Sequence, residues 1–373
     1  MIEAVAYVGT YDPGYARNAV LMAGLRERGV VVHEIHAPLP ALDAAGMATP
    51  AGAARVAAGL VGAHVRLALQ HRRGLDVDAV IVGYPGHFVV PYGRALATVR
   101  RARLVFDPLV SLADTFSGDR GLVGEHSVLG RAVDAVDRVA FALPDLVLAD
   151  TWEHAAFYGE RFGLPRERLA VVPVGAAPEP KATGAARSLA TDERLSVFQY
   201  GKWSPLHGAE TVLAAAELLR DRPVRFVLAG EGQLSAALRG EIDRRRLDEI
   251  EWLGMLAPEE LRARTLAADV CLGAFGTSAK ARRVVPTKVH EALACGRPVV
   301  TADTAAAREL LQDGVDAVLV PSGDADALAG ALERLLDEGL RASLGAAALA
   351  TYRRALTPAA VAGDLMRALG EGA

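Results

Sequence analysis

The sequence predicts an α/β protein made of two Rossmann-like domains that face each other across a cleft. Short apolar runs that end in Gly- or Asp-containing loops alternate with helix-period segments along most of the 373 residues, the pattern of parallel strands joined by crossover helices. The alternation stops once, over Gly175–Asp192, where Gly, Pro, Ala, Thr and Ser dominate without apolar periodicity, and then restarts. The length also suits two domains better than one. The expected division is an N-terminal domain over 1–175, a linker over 176–193, a second domain over 194–350, and a helical segment over 351–373 that could return to the first domain.

In the first half, the strand Ala4–Gly9 runs into the loop Gly9-Thr10-Tyr11-Asp12-Pro13-Gly14. A helix follows over Ala16–Arg28, stopped by Gly29, and then the strand Val30–Ile35. This is a β-loop-α-β unit without the G-x-G-x-x-G of a dinucleotide fingerprint. A helix over Pro50–Arg73, a strand over Asp78–Gly83 and the loop Tyr84-Pro85-Gly86-His87 form the next unit. The strand Arg103–Asp107 leads into a polar stretch, Pro108–Gly124, long enough to be a functional loop. A helix over Leu129–Leu143, a strand over Asp145–Asp150, a helix over Trp152–Phe162 and a strand over Leu169–Pro173 complete this half.

The second half repeats the scheme. Strands are expected at Leu195–Gly201, Val224–Gly230, Glu251–Gly254, Asp269–Phe275, Pro298–Ala302 and Ala317–Pro321, with helices near Gly208–Arg220, Leu234–Arg246 and Pro258–Ala267. The chain is helical from Asp324 to Leu369, interrupted at Thr357-Pro358. Pro286 before a helix and Gly296 just past its end follow the preference of helix termini.

Composition narrows the function. Hydrophobic residues make up 51% and charged residues 23%, enough for a large core. The net charge of −4 argues against a general nucleic-acid binder. Two cysteines, Cys271 and Cys295, lie in apolar surroundings and cannot form a disulfide framework. No Cys/His cluster has metal-ligand spacing, and neither a signal peptide nor a membrane-length apolar run is present, so the expected location is cytoplasmic. Arg100, Arg101 and Arg103 leave room for peripheral contact with a membrane face.

Chemistry concentrates where loops follow strands, because ligands of such sheets bind at the carboxyl ends of the strands. Tyr200–Gly208 places Lys202 just after a strand and His207-Gly208 at a helix start. Gly230-Glu231-Gly232 is a glycine turn that lets backbone approach a flat ligand. Phe275–Ser278 leads into a basic cluster, Lys280, Arg282 and Arg283, ahead of the helix carrying Lys288 and Glu291. Cations and helix amides suit a phosphate, and a carboxylate suits a sugar diol. A surface helix behind a solvated basic turn is the alternative.

Taken in order, these pieces resemble the retaining glycosyltransferases of the GT-B fold, in family 4 (glycosyl transferases group 1). The resemblance rests on the strand-Gly201-Lys202 unit with His207-Gly208, VLAGEG (Val227–Gly232), WLGML (Trp252–Leu256), PTKVHEALACGRPVV (Pro286–Val300), RELL (Arg308–Leu311) and VLVPSGD (Val318–Asp324). It covers about Leu195 to Leu336. It implies transfer of a sugar from a nucleotide diphosphate sugar, a co-substrate and not a bound cofactor, to a hydroxyl of a sugar, lipid or small-molecule acceptor, with retention and without metal. Glu291 matches the acid that holds the ribose hydroxyls, Lys202 the cation on the diphosphate, and His207 the position where relatives commonly carry Lys. The Gly9–Gly14 loop would approach the diphosphate from the first domain, and His87 would lie near the sugar and acceptor.

One departure stands out. Relatives usually show Glu, seven residues, Glu, but the position eight before Glu291 is Arg283. With Lys280, Arg282 and Lys288, Arg283 could supply the electrostatics of leaving-group departure. Asp107 and Asp114 could activate an acceptor, or simply end a strand and sit in a loop. Two other functions remain open on these residues: a GT-B-shaped sugar-nucleotide epimerase, and a non-catalytic nucleotide-sugar-binding partner.

Overall fold

The computed structural model describes residues 2–38, 50–70, 75–119, 121, 124, 126–177 and 193–370. The end of the helix expected at Pro50–Arg73 and residues 178–192 of the expected linker lie outside them. The chain forms two compact units, one from the N-terminal part through Val174, apart from Gly118–Gly121, together with the segment from Pro358 onward, the other from Gly175–Thr357 with Gly118–Gly121.

The first unit holds a six-stranded sheet: β1 (Ala4–Gly9), β2 (Val31–His36), β3 (Ala79–Val82), β4 (Arg103–Phe106), β5 (Leu146–Ala149) and β6 (Leu169–Val171). The order is β2-β1-β3-β4-β5-β6, every pair parallel. Alternate side chains serve two cores. Ala6, Val8, Val80 and Val82 pack with Leu67, Leu96, Phe141 and Tyr158 on one face, and Val5, Tyr7 and Ile81 with Leu21, Leu25, Val361 and Leu365 on the other. Helices therefore cover both faces, as an all-parallel sheet requires. Each Val, Leu, Ile or Phe among them gains about 1.5–3 kcal/mol on leaving water.

The helix Pro358–Gly370 belongs to this unit and lies against Ala16–Glu27, whereas the preceding helix, Glu338–Ala355, belongs to the second unit. The chain thus changes units at Thr357-Pro358, the break read from sequence, and not at 351. The two helices meet at Gly24, where a Cβ would stand 1.8 Å from the Pro358 carbonyl oxygen. Gly24→Ala should lower the unfolding free energy by about 1–3 kcal/mol through overpacking, even though alanine is the better helix former by about 1 kcal/mol. A urea midpoint equal to the wild-type value would show that the contact yields freely.

The second unit holds β7 (Leu195–Tyr200), β8 (Val224–Ala229), β9 (Ile250–Leu253), β10 (Val270–Leu272), β11 (Val299–Ala302) and β12 (Val318–Val320), again all parallel, in the order β12-β11-β10-β7-β8-β9. Strand order reverses between β7 and β10, the point where such sheets open a crevice for ligands. Fully buried Gln199 spans it, its amide donating to the Gly273 carbonyl at 2.8 Å.

Some elements were not anticipated. The helix Val90–Arg100 starts on Pro91 and contains Gly93, and a short helix occupies Ala305–Leu310. The long polar stretch contains a π-helical turn, Asp114–Asp119. The C-terminal helical run is also broken before Glu338, where the Asp337 side chain accepts from Leu340 N–H and caps a new helix. Among the described residues no helix is long and apolar enough to cross a membrane.

Candidate functional site

At the carboxyl edge of the second sheet, three loops are welded backbone to backbone. Gly230, at φ +112°, lies so close to Gly201 that a Cβ would stand 2.1 Å from its carbonyl oxygen, and a Cβ on Gly232 would be 2.5 Å from the Lys202 carbonyl. Trp203, fully buried, donates its indole N–H to the Gly230 carbonyl at 3.0 Å. On the other side Phe275 N–H donates to the His207 carbonyl at 3.1 Å and Gly276 N–H to that of Leu206 at 3.2 Å. The close approach that Gly230 and Gly232 permit is thus to a neighbouring loop of the protein. The rigid floor this creates presents the side chains around it.

Lys288 lies in the first turn of the helix Thr287–Ala294. It is 6% exposed, and its ammonium has no hydrogen-bond partner among the described residues. The ammonium lies over Gly201, where a Cβ would stand 3.1 Å away, with the ring centroids of Tyr200 at 5.9 Å and Trp203 at 6.0 Å. Burial lowers the ammonium to about 7, with the Glu291 carboxylate opposing. An uncompensated buried cation is costly, and such groups mark sites that a ligand completes.

Glu291, one turn further, is half-buried and accepts a short hydrogen bond from the Tyr200 hydroxyl at the end of β7. Burial raises its carboxyl above the usual range, with Tyr200, Arg262 and Lys288 pulling it back. One oxygen is oriented by Tyr200, and the acceptor capacity of the other can serve a diol.

His207 closes a capping box. Its Nδ1 accepts from Ser204 N–H at 3.2 Å, so in the neutral ring the proton sits on Nε2. That edge faces Gly201, where a Cβ would be 2.5 Å from Nε2. The residue at the position where relatives carry Lys is therefore a neutral donor as it stands. Lys202 is exposed, Lys280 is buried, and Arg283 is partly buried in the turn Ala281–Arg283. Glu231 pairs with Arg239 at 3.0 Å.

The first sheet has its own edge. Gly9 ends β1, and its carbonyl accepts from Ala37 N–H at 3.1 Å; Gly14 N–H donates to the Asp12 carboxylate at 2.9 Å. Gly14 is engaged within the loop and Gly9 by the residue that follows β2. Asn18 ties it to the next one, donating to the carbonyls of Asp12 and Tyr84 at 3.2 and 2.7 Å. His87 is 3% exposed, packed edge-on against Phe106, and donates from Nε2 to the Val110 carbonyl at 3.0 Å. Burial lowers its pKa, opposed by Asp137. That is the environment of a residue that positions the Asp107–Ala113 loop, whose Ser111 hydroxyl and Ala113 N–H both bond to Asp137 at 2.7 and 2.9 Å. Asp107 is a strand-end partner: it pairs with buried Arg17 at 2.7 Å, and Arg17 also donates to the carbonyls of Val172 and Pro173.

The edge of the second sheet thus brings together Lys202, His207, Gly230, Gly232, Lys288 and Glu291, and that of the first brings Gly9, Gly14 and His87. Tyr200 and Trp203 were missed. Their only sequence signal was aromatic character at a strand end, which also describes ordinary core. Among the described residues no group of three or more His, Cys, Asp or Glu could hold a metal ion.

Comparison with known proteins agrees with this geometry. Residues 195–338, all within the second unit, match the family model Glycosyl transferases group 1. Relatives include an amylovoran biosynthesis glycosyltransferase of Erwinia amylovora, 28% identical over 201 residues covering 52% of this chain and 48% of that protein. A D-inositol 3-phosphate glycosyltransferase of Acidothermus cellulolyticus is 31% identical over 247 residues, 60% of this chain and 52% of that protein. The chain spans about half the length of these curated relatives. Similar solved structures are a sucrose-phosphate synthase of Thermosynechococcus elongatus (TM-score 0.72, 19% identity, all of both chains) and Anabaena HepE with UDP and glucose (TM-score 0.69, 16% identity, 99% of this chain and 100% of that one). They establish the fold as that of GT-B glycosyltransferases.

Proposed function

We propose that the protein transfers a sugar from a nucleoside diphosphate sugar to a hydroxyl acceptor, with the donor held by the second unit. The observation that carries this reading is a buried ammonium without an acceptor among the described residues, Lys288, one helical turn from a half-buried carboxylate, Glu291, at the reversal point of the sheet. The family match of residues 195–338 and the UDP complexes of HepE support the same donor class.

In this reading Glu291 accepts from the ribose diol, while Lys288, Lys202 and the His207 Nε2–H meet the diphosphate. The bond between the anomeric carbon and the diphosphate oxygen breaks. Arg283 and the lysines stabilise the negative charge that develops on the leaving group. The acceptor hydroxyl then bonds to the anomeric carbon on the face the diphosphate leaves, and its proton passes to the departing phosphate oxygen. Retention and independence of metal belong to the proposal. His87 acts by holding the loop after β4.

The test is nucleotide release by purified protein from a panel of nucleotide sugars, with and without sugar, lipid and small-molecule acceptors, in the presence of chelator. Acceptor-dependent release is expected. Donor turnover without acceptor would indicate the epimerase or a hydrolase, and tight binding with no turnover would favour the non-catalytic partner, to which Arg283 at the usual acid position also points. Lys202→Ala should cut turnover at least tenfold at an unchanged melting temperature, because the side chain is exposed. A collapse of the melting temperature would make Lys202 structural.

A further inference from the structure

Lys288 stands out as a charge the free protein is badly built to hold. The groups around it are the Tyr200 hydroxyl, committed to Glu291, the Trp203 ring, the His207 Nε2 edge on the same side of Gly201, where one Cβ would stand 2.5 Å from Nε2 and 3.1 Å from the ammonium, and the Glu291 carboxylate on its own helix. Arg262, from the helix Pro258–Ala267 packed alongside, acts on Glu291, and burial keeps the thiols of Cys271 and Cys295 protonated. Among the described residues none accepts a hydrogen bond from the Lys288 ammonium.

We propose that Lys288, buried and without an acceptor among the described residues, takes up a proton as the donor's diphosphate enters, so that nucleotide binding is coupled to protonation. The inference rests on the donor-binding reading above. An anion at van der Waals distance replaces the missing solvent and restores the charged form. The ammonium, which burial holds near 7 in the free protein, returns toward the ordinary lysine value once a phosphate oxygen accepts from it. The proton is then in place when charge develops on the leaving group, and is given back when the nucleoside diphosphate departs.

The coupling has a signature in the free protein. Between about pH 7 and the ordinary lysine value the unfolded chain holds a proton that the folded chain lacks, so this residue makes stability rise with pH over that window. At and below pH 7 the penalty is fullest. Lys288→Met, of similar length and without charge, should therefore melt higher than wild type, most clearly near pH 7, while binding nucleotide more weakly.

The deciding experiment is calorimetric titration of UDP, with GDP in parallel, into the full chain at pH 8 in buffers of different ionisation enthalpy. At that pH the nucleotide's own phosphates are already ionised, their last pKa being about 6. Wild type should take up about one proton per bound nucleotide, and the uptake should shrink toward pH 6. Lys288→Met should bind more than tenfold more weakly with no linked proton. Uptake that instead grows toward pH 6 would assign the proton to His207 and overturn the proposal, as would heats independent of buffer or uptake that survives in Lys288→Met. Those outcomes leave the donor site standing; wild type that binds neither nucleotide removes both readings.

Discussion

Glu291→Ala is expected to weaken binding of the nucleoside diphosphate sugar by about a hundredfold or more. A carboxylate that accepts two diol protons makes charge-assisted hydrogen bonds of about 1.5–3 kcal/mol each, and the half-buried position of Glu291 limits replacement by water. The substitution also strands the Tyr200 hydroxyl, which donates to Glu291 and is partly buried, at a stability cost of up to about 1–3 kcal/mol. Binding and stability can be separated. Glu291→Ala combined with Tyr200→Phe should recover much of the melting temperature and none of the affinity. Unchanged affinity in Glu291→Ala by calorimetric titration would remove this residue from the site. The sign with pH follows from burial: the carboxyl is raised, so the ionised form, and with it the affinity, is lost on acidification earlier than for an ordinary glutamate.

Gly230→Ala should be the most damaging small substitution in the second unit. Its φ of +112° disfavours any L side chain, and the new Cβ would stand 2.1 Å from the Gly201 carbonyl oxygen. Backbone, unlike a flexible side chain, cannot swing away, so the cost should reach about 3 kcal/mol or more. The indole bond of Trp203 to the Gly230 carbonyl would be disturbed as well. Denaturant unfolding should show the loss even without nucleotide. A near-wild-type midpoint would mean that the loops are free to separate.

The twelve strands of the described residues were all expected from sequence; most are apolar runs buried on both faces, while the edge strand Val31–His36 carries His33, Glu34 and His36 and is mostly exposed or half-buried. The helix Val90–Arg100 was not, because Pro91 and Gly93 look like breakers. The proline sits in the first turn, where its missing N–H is harmless, and a Cβ on Gly93 would be 2.6 Å from Val82. At the site, Lys288 and Glu291 were legible from their spacing on one helix. What sequence could not carry is the use made of each residue. The glycine turn at Gly230 reads as room for a ligand and is room for Gly201; His207 reads as a phosphate cation and has Nδ1 occupied by Ser204 N–H. His87 reads as a group near the sugar and acceptor and is buried against Phe106. Each outcome depends on contacts between loops far apart along the chain, which local pattern does not encode.

The helix Pro358–Gly370 fixes an order of events during synthesis. Val361, Ala362, Leu365 and Leu369 fill the core on the α-helical face shared with Leu21 and Leu25, so the first unit is incomplete until residues beyond the whole of the second unit have been made. At about 5–20 residues per second, translation from Val174 to this helix takes roughly 10–40 s. Over that interval the nascent first unit carries an uncovered apolar strip, while the contiguous second unit can already close. The portion that reaches the ribosome exit first is therefore the portion that finishes last, and chaperone dependence should fall on it.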